Sequence, residues 1–184
     1  MFLIAITGAS GISIAVKLLK VLKEKNIKTE LIISKAAEKV LLSESRIKIA
    51  DLQQSATIYY DVDDLTAPPA SGSYKTDGMI IVPCTMKTLA AIANGYSKNL
   101  ITRAADITIK ENRKLILIVR ESPLSPIHLE NMLKLARLGV VIAPPVASYY
   151  INPKSVDDLL NHTVGRILDQ IGIESDIKRW GDEK

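Results

Sequence analysis

Hydrophobic residues in this chain fall into short blocks separated by amphipathic stretches. Phe2–Thr7, Thr29–Ser34, Met79–Pro83 and Leu115–Val119 are almost continuously apolar and are bounded by turn-forming or polar residues. Short blocks of this kind suit strands buried on both faces of a parallel sheet. A fifth block, Val140–Ala143, ends at Pro144-Pro145. Between the blocks the period changes to that of a helix. Ile12, Ala15, Leu18, Leu19 and Leu22 trace one apolar face, and Leu129, Met132, Leu133 and Ala136 trace another, with Gly139 as a stop. The last helix is expected to open on a capping-box-like pair, Ser155 and Asp158, behind Pro153. Its apolar face runs through Val156, Leu159, Leu160, Val164, Ile167, Leu168 and Ile171.

Alternating strands and helices predict an α/β fold: a single-domain, doubly wound, mainly parallel sheet, because right-handed crossovers place helices on both faces. The domain is expected to span residues 1–184, with a C-terminal helix and tail from about residue 155. One stretch, Asp61 to Thr76 (DVDDLTAPPASGSYKT), shows neither period. Loops of that length inside a compact domain are often functional.

Composition then removes several classes of function. At 47% hydrophobic, 184 residues suffice for one packed core, and no apolar run reaches the length of a membrane span. The opening MFLIAITGAS runs straight into a glycine turn without a basic leader, so a first strand is expected there and not a signal peptide. One cysteine, Cys84, gives no internal disulfide and suits the cytoplasm. With only His128 and His162 beside it, no metal site is expected. The net charge of +4 is spread among acids, with KENRK (Lys110–Lys114) the densest basic stretch. Nucleic-acid binders more often carry a basic stripe with aromatics. A small phosphorylated metabolite fits better.

Sheets of this type deliver ligand-binding groups at the carboxyl ends of their strands. The first strand delivers Gly8-Ala9-Ser10-Gly11, the second Ser34-Lys35, the third Cys84 to Thr88, the fourth Arg120-Glu121 and the fifth Pro144 onward to Tyr149-Tyr150. The glycine turn lets backbone approach a ligand, and the helix after it offers unpaired N–H groups; a plain tight turn explains it equally well. Ser34-Lys35 stands where a dinucleotide fold usually has an acid for the ribose, which favours a mononucleotide or flavin over NAD. Thr85 can cap the helix after Pro83-Cys84 by accepting from the Thr88 N–H. That leaves Lys87 and Thr88 for a polar ring edge or a phosphate. Arg120 at a strand end offers bidentate phosphate recognition, with Glu121 as its partner or a proton donor, although an ordinary ion pair competes. Arg103, Asp106 and Lys110 read as a surface ladder, Cys84 as a small buried residue, and both histidines as surface or capping groups. No G-x-S-x-G elbow or nucleoside-triphosphate loop is present.

Four stretches together resemble one family: DGMIIVPCTMKTLAAIANG, LITRAADITIKENRKLILIVRESPL, HLENMLKLARLGVVIAPPVASYY and VGRILDQIGI. They follow in the order found in the flavin prenyltransferases (UbiX-like) and cover nearly the whole chain. The resemblance implies a Rossmann-like flavoprotein that joins a dimethylallyl group from dimethylallyl phosphate to reduced FMN across N5 and C6. The product, prenylated FMN, serves UbiD-type decarboxylases. It further implies no metal, and a homo-oligomer, typically a dodecamer of trimers, with sites at subunit junctions. By resemblance the flavin contacts are Gly8, Ala9, Ser10, Ser34, Thr85, Met86, Lys87, Thr88 and Arg120. The prenyl phosphate would meet Lys110, Arg120, Glu121, Tyr150 and Arg166. Glu121, Glu44, Lys110 and Tyr150 would be catalytic, Glu44 falling where the family places an acid used in proton handling. Three departures stand out: Thr85 replaces a commoner serine, Asn152 a frequent arginine, and Ala15 a glycine. The rivals are a flavin-dependent cysteine decarboxylase, against which PCTMKT speaks, and a non-catalytic FMN carrier, which needs no second phosphate cradle. Trp180 offers either a subunit contact or ordinary packing.

Overall fold

The computed structural model describes residues 1–45 and 47–182. The chain divides into two compact units, Met1–Pro144 and Pro145–Lys184. The first contains β1 (Phe2–Ile6), α1 (Ile12–Glu24), β2 (Thr29–Ile33), α2 (Lys35–Glu44), α3 (Ile49–Gln53) and β3 (Ile58–Tyr60), then β4 (Gly78–Cys84), α4 (Met86–Ala93), α5 (Leu100–Lys110), β5 (Lys114–Val119), α6 (Pro126–Arg137) and β6 (Val141–Ile142). The second is built on α7 (Val156–Gln170).

The six strands form one sheet in the order β3-β2-β1-β4-β5-β6. Every pairing is parallel. Side chains alternate across a strand, so each interior strand feeds two cores. Leu3, Ala5, Ile32, Met79 and Ile81 point to the face where Leu89, Leu100, Ala104 and Ala105 of α4 and α5 pack. Ile4 and Ile6 point to the other, where α1 buries Ile12, Ala15, Leu18, Leu19 and Leu22, the face expected from its period. Each such aliphatic side chain contributes roughly 1.5–3 kcal/mol on full burial, so the central strands cannot change register without losing both faces at once.

Three features depart from the sequence reading. β3 is an unforeseen strand of three residues, too short to leave a hydrophobic block, and β6 shrinks to two half-buried residues. On α6, the stripe chosen from the sequence (Leu129, Met132, Leu133 and Ala136) turns outward except at Met132, which packs on the core. Leu129 and Leu133 are 51% and 52% exposed and Ile127 is 68% exposed, while Leu135 is fully buried. The helix carries two apolar stripes, and packing next to β6 selects the one through Met132 and Leu135.

The aperiodic stretch after β3 is pinned to the sheet. Val62, Ala67 and Pro69 are buried, and Arg103 Nε donates to the Ala70 carbonyl at 3.2 Å. Arg113 donates to the Tyr74 and Gly72 carbonyls at 2.7 and 2.8 Å. Beneath it lies Glu30, fully buried, accepting from the Tyr60 hydroxyl at 3.0 Å and from the Tyr74 hydroxyl. Most of this segment is therefore a structural strap, and only its start, near Asp63, reaches the ligand side of the sheet.

In the second unit, a Cβ on Gly165 would stand 2.2 Å from Ile177 Cγ2, so this glycine lets the tail cross α7 closely. The expected capping box is present: Ser155 accepts from the Asp158 N–H at 3.2 Å, and Asp158 accepts from the Ser155 N–H at 2.9 Å.

Candidate active site

The strand order reverses between β1 and β4, which opens a crevice beyond their carboxyl ends. Thr7 ties the two ends together. Its hydroxyl donates to the Pro83 carbonyl at 2.7 Å and accepts from the Thr85 N–H at 2.9 Å. Thr85 then caps α4 as expected, accepting from the Thr88 N–H at 3.2 Å and donating to the Thr88 hydroxyl at 3.0 Å. Successive helical residues point about 100° apart. In the first turn of α4 Met86 and Thr88 are both buried, on different sides of the helix, while Lys87 between them is exposed. Cys84 is fully buried, and burial pushes its thiol pKa well up, which makes it a poor nucleophile.

The second wall is the start of α2. A Cβ on Gly8 would lie 2.5 Å from Ala36 Cβ, so only glycine lets the β1–α1 turn pass the first turn of α2. Ser34 caps α2, accepting from the Ala37 N–H at 3.1 Å. Lys35 ion-pairs with Asp63. Between the two helix starts lies a cavity of about 710 Å³, lined among others by Gly8, Ser34, Lys35, Thr85, Lys87 and Thr88. That volume falls within the range of sites for cofactor-sized molecules. Two helix N-termini and three lysines, Lys35, Lys87 and Lys98, of which Asp63 offsets one, make it favourable for an anion. The donor set fits a flavin mononucleotide.

The glycine turn itself is less open than expected. Gly11 has φ of 96° and provides no side-chain cap for α1. Glu44, at the far end of α2, provides it: Oε2 accepts from the Gly11 and Ile12 N–H groups at 3.0 and 3.2 Å. The Ala9 N–H is engaged by the Thr7 carbonyl at 2.9 Å. Burial acts to raise the Glu44 pKa, but the Ser10 hydroxyl, the two amides and the charge of Arg120 together hold it below the usual carboxylate range. Glu44 is thus an anion at neutral pH, able to accept a proton but not to supply one. The α1 start already holds a carboxylate, whereas α2 and α4 are capped by the neutral hydroxyls of Ser34 and Thr85, so an anionic ligand is favoured at those two starts.

Arg120 follows β5, and its N–H donates to the Cys84 carbonyl at 3.2 Å, which sets it beside the end of β4. Glu121 is exposed, with Oε1 accepting from the Ser122 N–H at 3.0 Å. Lys110 stands elsewhere. It ends α5 and pairs with Glu111, with β5 (Lys114–Val119) between it and Arg120. At about 3.3 Å per strand residue the two lie roughly 20 Å apart, at opposite ends of the sheet. One chain therefore does not bring Lys110 to Arg120, because a strand crosses the sheet between them. The surface ladder is likewise partial: Arg103 pairs with Asp106 at 3.1 Å, but Lys110 does not extend it.

Tyr150 and Arg166 belong to the second unit. Arg166 donates to Asp169 at 2.7 Å, and Arg179 holds the same carboxylate at 2.9 Å. The Tyr150 hydroxyl lies 2.9 Å from His162 Nε2. The sequence reading of His162 as a surface or capping residue is overturned, since it is 6% exposed and faces Tyr150. His128 is the capping residue expected: its Nδ1 accepts from the Ser125 N–H at 3.2 Å. The missed signal was spacing, because His162 precedes Arg166 by one helical turn. Trp180 is 84% exposed yet packs edge-on against Tyr150, with centroids 5.5 Å apart.

Residues 1–168 match the family described as Flavoprotein. The chain is also 51% identical over 180 residues to the flavin prenyltransferase UbiX of Methanocaldococcus jannaschii, covering 97% of both proteins. The chain belongs to the flavin prenyltransferases. Two solved structures share the fold closely. AnUbiX (PadA1), solved with FMN and dimethylallyl pyrophosphate, superposes with a TM-score of 0.97 at 43% identity, over 100% of this chain and 98% of that one. A dodecameric FMN-dependent UbiX-like decarboxylase from Escherichia coli O157:H7 gives 0.95 at 45% identity, over 97% and 98%.

For a flavin prenyltransferase with this cavity, Gly8 makes a sharp prediction. Gly8→Val must push the α2 start, with Ser34 and Lys35, away from Thr85. FMN binding, followed by quenching of flavin fluorescence, is expected to weaken about tenfold or more, with Gly8→Ala less affected.

Proposed function

We propose that this enzyme transfers the dimethylallyl group of dimethylallyl phosphate to reduced FMN, closing a ring across N5 and C6, in a site completed by a second copy of the chain. The single observation that carries this reading is the 710 Å³ cavity between two capped helix starts at the switch point, with Arg120 on the neighbouring strand end. Gly8, Ala9, Ser10, Ser34, the run Thr85 to Thr88 and Arg120 hold the flavin. Reduced FMN supplies the electron-rich N5 and C6 that receive the prenyl carbons. Lys110, Arg120 and Glu121 of the first unit and Tyr150 and Arg166 of the second are assigned to the prenyl phosphate, in whichever copy each stands. Their cations offset the charge that grows on the departing phosphate, a role played by magnesium where diphosphates leave. Glu121 donates to or relays a proton at that phosphate, and ionised Glu44 is an acceptor for the proton released at C6.

An exposed apolar stripe supports a site shared between copies. Ile127, Leu129 and Leu133 expose an apolar stripe on α6 that a lone chain leaves in water. We assign that stripe to the interface of a homo-oligomer, a dodecamer like the Escherichia coli relative. Leu129→Glu with Leu133→Glu is expected to yield a smaller species by light scattering, and an unchanged mass would remove α6 from the interface. Residues 1–184 then act as one flavin-binding domain. No helix among the described residues is long and apolar enough to cross a membrane. We place the enzyme in the cytoplasm, handing prenylated FMN to a UbiD-type decarboxylase.

An anaerobic mixture of enzyme, reduced FMN and dimethylallyl phosphate is expected to activate an apo UbiD-type decarboxylase, and the flavin product itself is expected to form with or without EDTA. Activation without the prenyl donor would make the protein an FMN carrier. Loss of flavin prenylation in EDTA would contradict the cationic cradle.

A further inference from the structure

Tyr150 is held on two sides. The His162 ring meets it edge-on, with centroids 5.6 Å apart and planes at 86°, and Trp180 does the same at 5.5 Å and 86°. The Tyr150 hydroxyl and His162 Nε2 lie 2.9 Å apart, and the imidazole is almost wholly removed from water. Burying an imidazole costs free energy unless its polar atoms are paired, and an aliphatic side chain would fill the same space without that cost. The histidine is therefore explained by its bond to the phenol.

The direction of that bond follows from charge. Burial, with Arg166 and Arg179 against Asp169, holds the His162 pKa below its ordinary value, so the ring is neutral at pH 7 and carries one N–H. A phenol that points its own proton at an anionic oxygen has only lone pairs left to turn inward. Its inner partner must then be a donor.

We propose that His162 is a positioning residue for substrate phosphate: its Nε2–H donates to Tyr150 Oη and turns the phenol O–H toward the phosphate of the prenyl donor. This inference rests on Tyr150 being a phosphate contact, as proposed above. Arg166, one turn further along α7, is the cation of the same unit assigned to that phosphate.

A double-mutant cycle tests it, with initial rates at varied dimethylallyl phosphate and FMN affinity measured separately. His162→Phe is expected to lower kcat/KM for dimethylallyl phosphate about five- to tenfold, the worth of one hydrogen bond, with FMN affinity unchanged. His162→Gln, whose amide nitrogen reaches as far as Nε2, retains most of the activity, whereas the shorter His162→Asn does not. In a Tyr150→Phe background, His162→Phe has no further effect. Additive losses, or Asn serving as well as Gln, would overturn the role of His162 while leaving Tyr150 in place. If Tyr150→Phe alone leaves kcat/KM unchanged, the assignment of Tyr150 to the phosphate fails, and this inference fails with it. Should His162→Phe not fold, the Gln–Asn comparison decides by itself.

Discussion

Arg120→Ala is expected to slow flavin prenylation by roughly 100- to 1000-fold, the usual cost of losing a preorganised group that stabilises developing charge. Arg120 earns this weight by position. Its N–H is anchored to the Cys84 carbonyl, two residues before the start of α4, and its charge helps to hold the Glu44 carboxyl below its ordinary pKa. A monophosphate leaves poorly, and each tenfold in rate corresponds to about 1.4 kcal/mol of transition-state stabilisation. A guanidinium can bridge two phosphate oxygens where an ammonium meets them as a point charge. Arg120→Lys is therefore expected to recover only part of the loss. Arg120 is exposed, so neither substitution should lower the melting temperature appreciably. Single-turnover assays resolving FMN from its product by chromatography give the rates. A drop below fivefold for Arg120→Ala would remove it from the reacting centre.

Lys110→Ala is expected to be comparably inactive, and mixing it with Arg120→Ala should restore activity. Lys110 and Arg120 occupy opposite ends of the sheet within one chain, so a phosphate between them must draw them from different copies. In a hybrid assembled at random from equal amounts of the two variants, each junction takes Lys110 from one copy and Arg120 from another. About a quarter of the junctions then carry both intact side chains, and about a quarter of wild-type activity returns. Refolding the variants together, or co-expressing them with two tags, provides the hybrid. If both residues acted from one chain, no junction could regain both and the mixture would stay inactive.

The sheet was readable because its strands are buried on both faces. β1, β2, β4 and β5 appear in the sequence as hydrophobic blocks whose ends agree with the structure to within a residue. Local chemistry was also readable: Thr85 caps α4 through Thr88, and Ser155 and Asp158 form the capping box of α7. What needed tertiary contacts was missed. β3 has too few residues to leave a period, and α6 offers two apolar stripes between which spacing does not choose. Glu44 reaches the α1 start from 33 residues away, a contact no local pattern encodes. The separation of Lys110 from Arg120 was legible in principle, because residues just before and just after a strand lie at opposite ends of it. His162 is hard to place from sequence because its neighbours are polar, although Val164, Gly165, Ile167 and Leu168 on the same helix are buried with it.

The most direct test is the mass of the flavin after anaerobic incubation of the enzyme with reduced FMN and dimethylallyl phosphate. The account predicts a flavin heavier than FMN by one prenyl unit, formed with the wild-type chain and nearly absent with Arg120→Ala. FMN recovered unchanged from the wild-type reaction would contradict it.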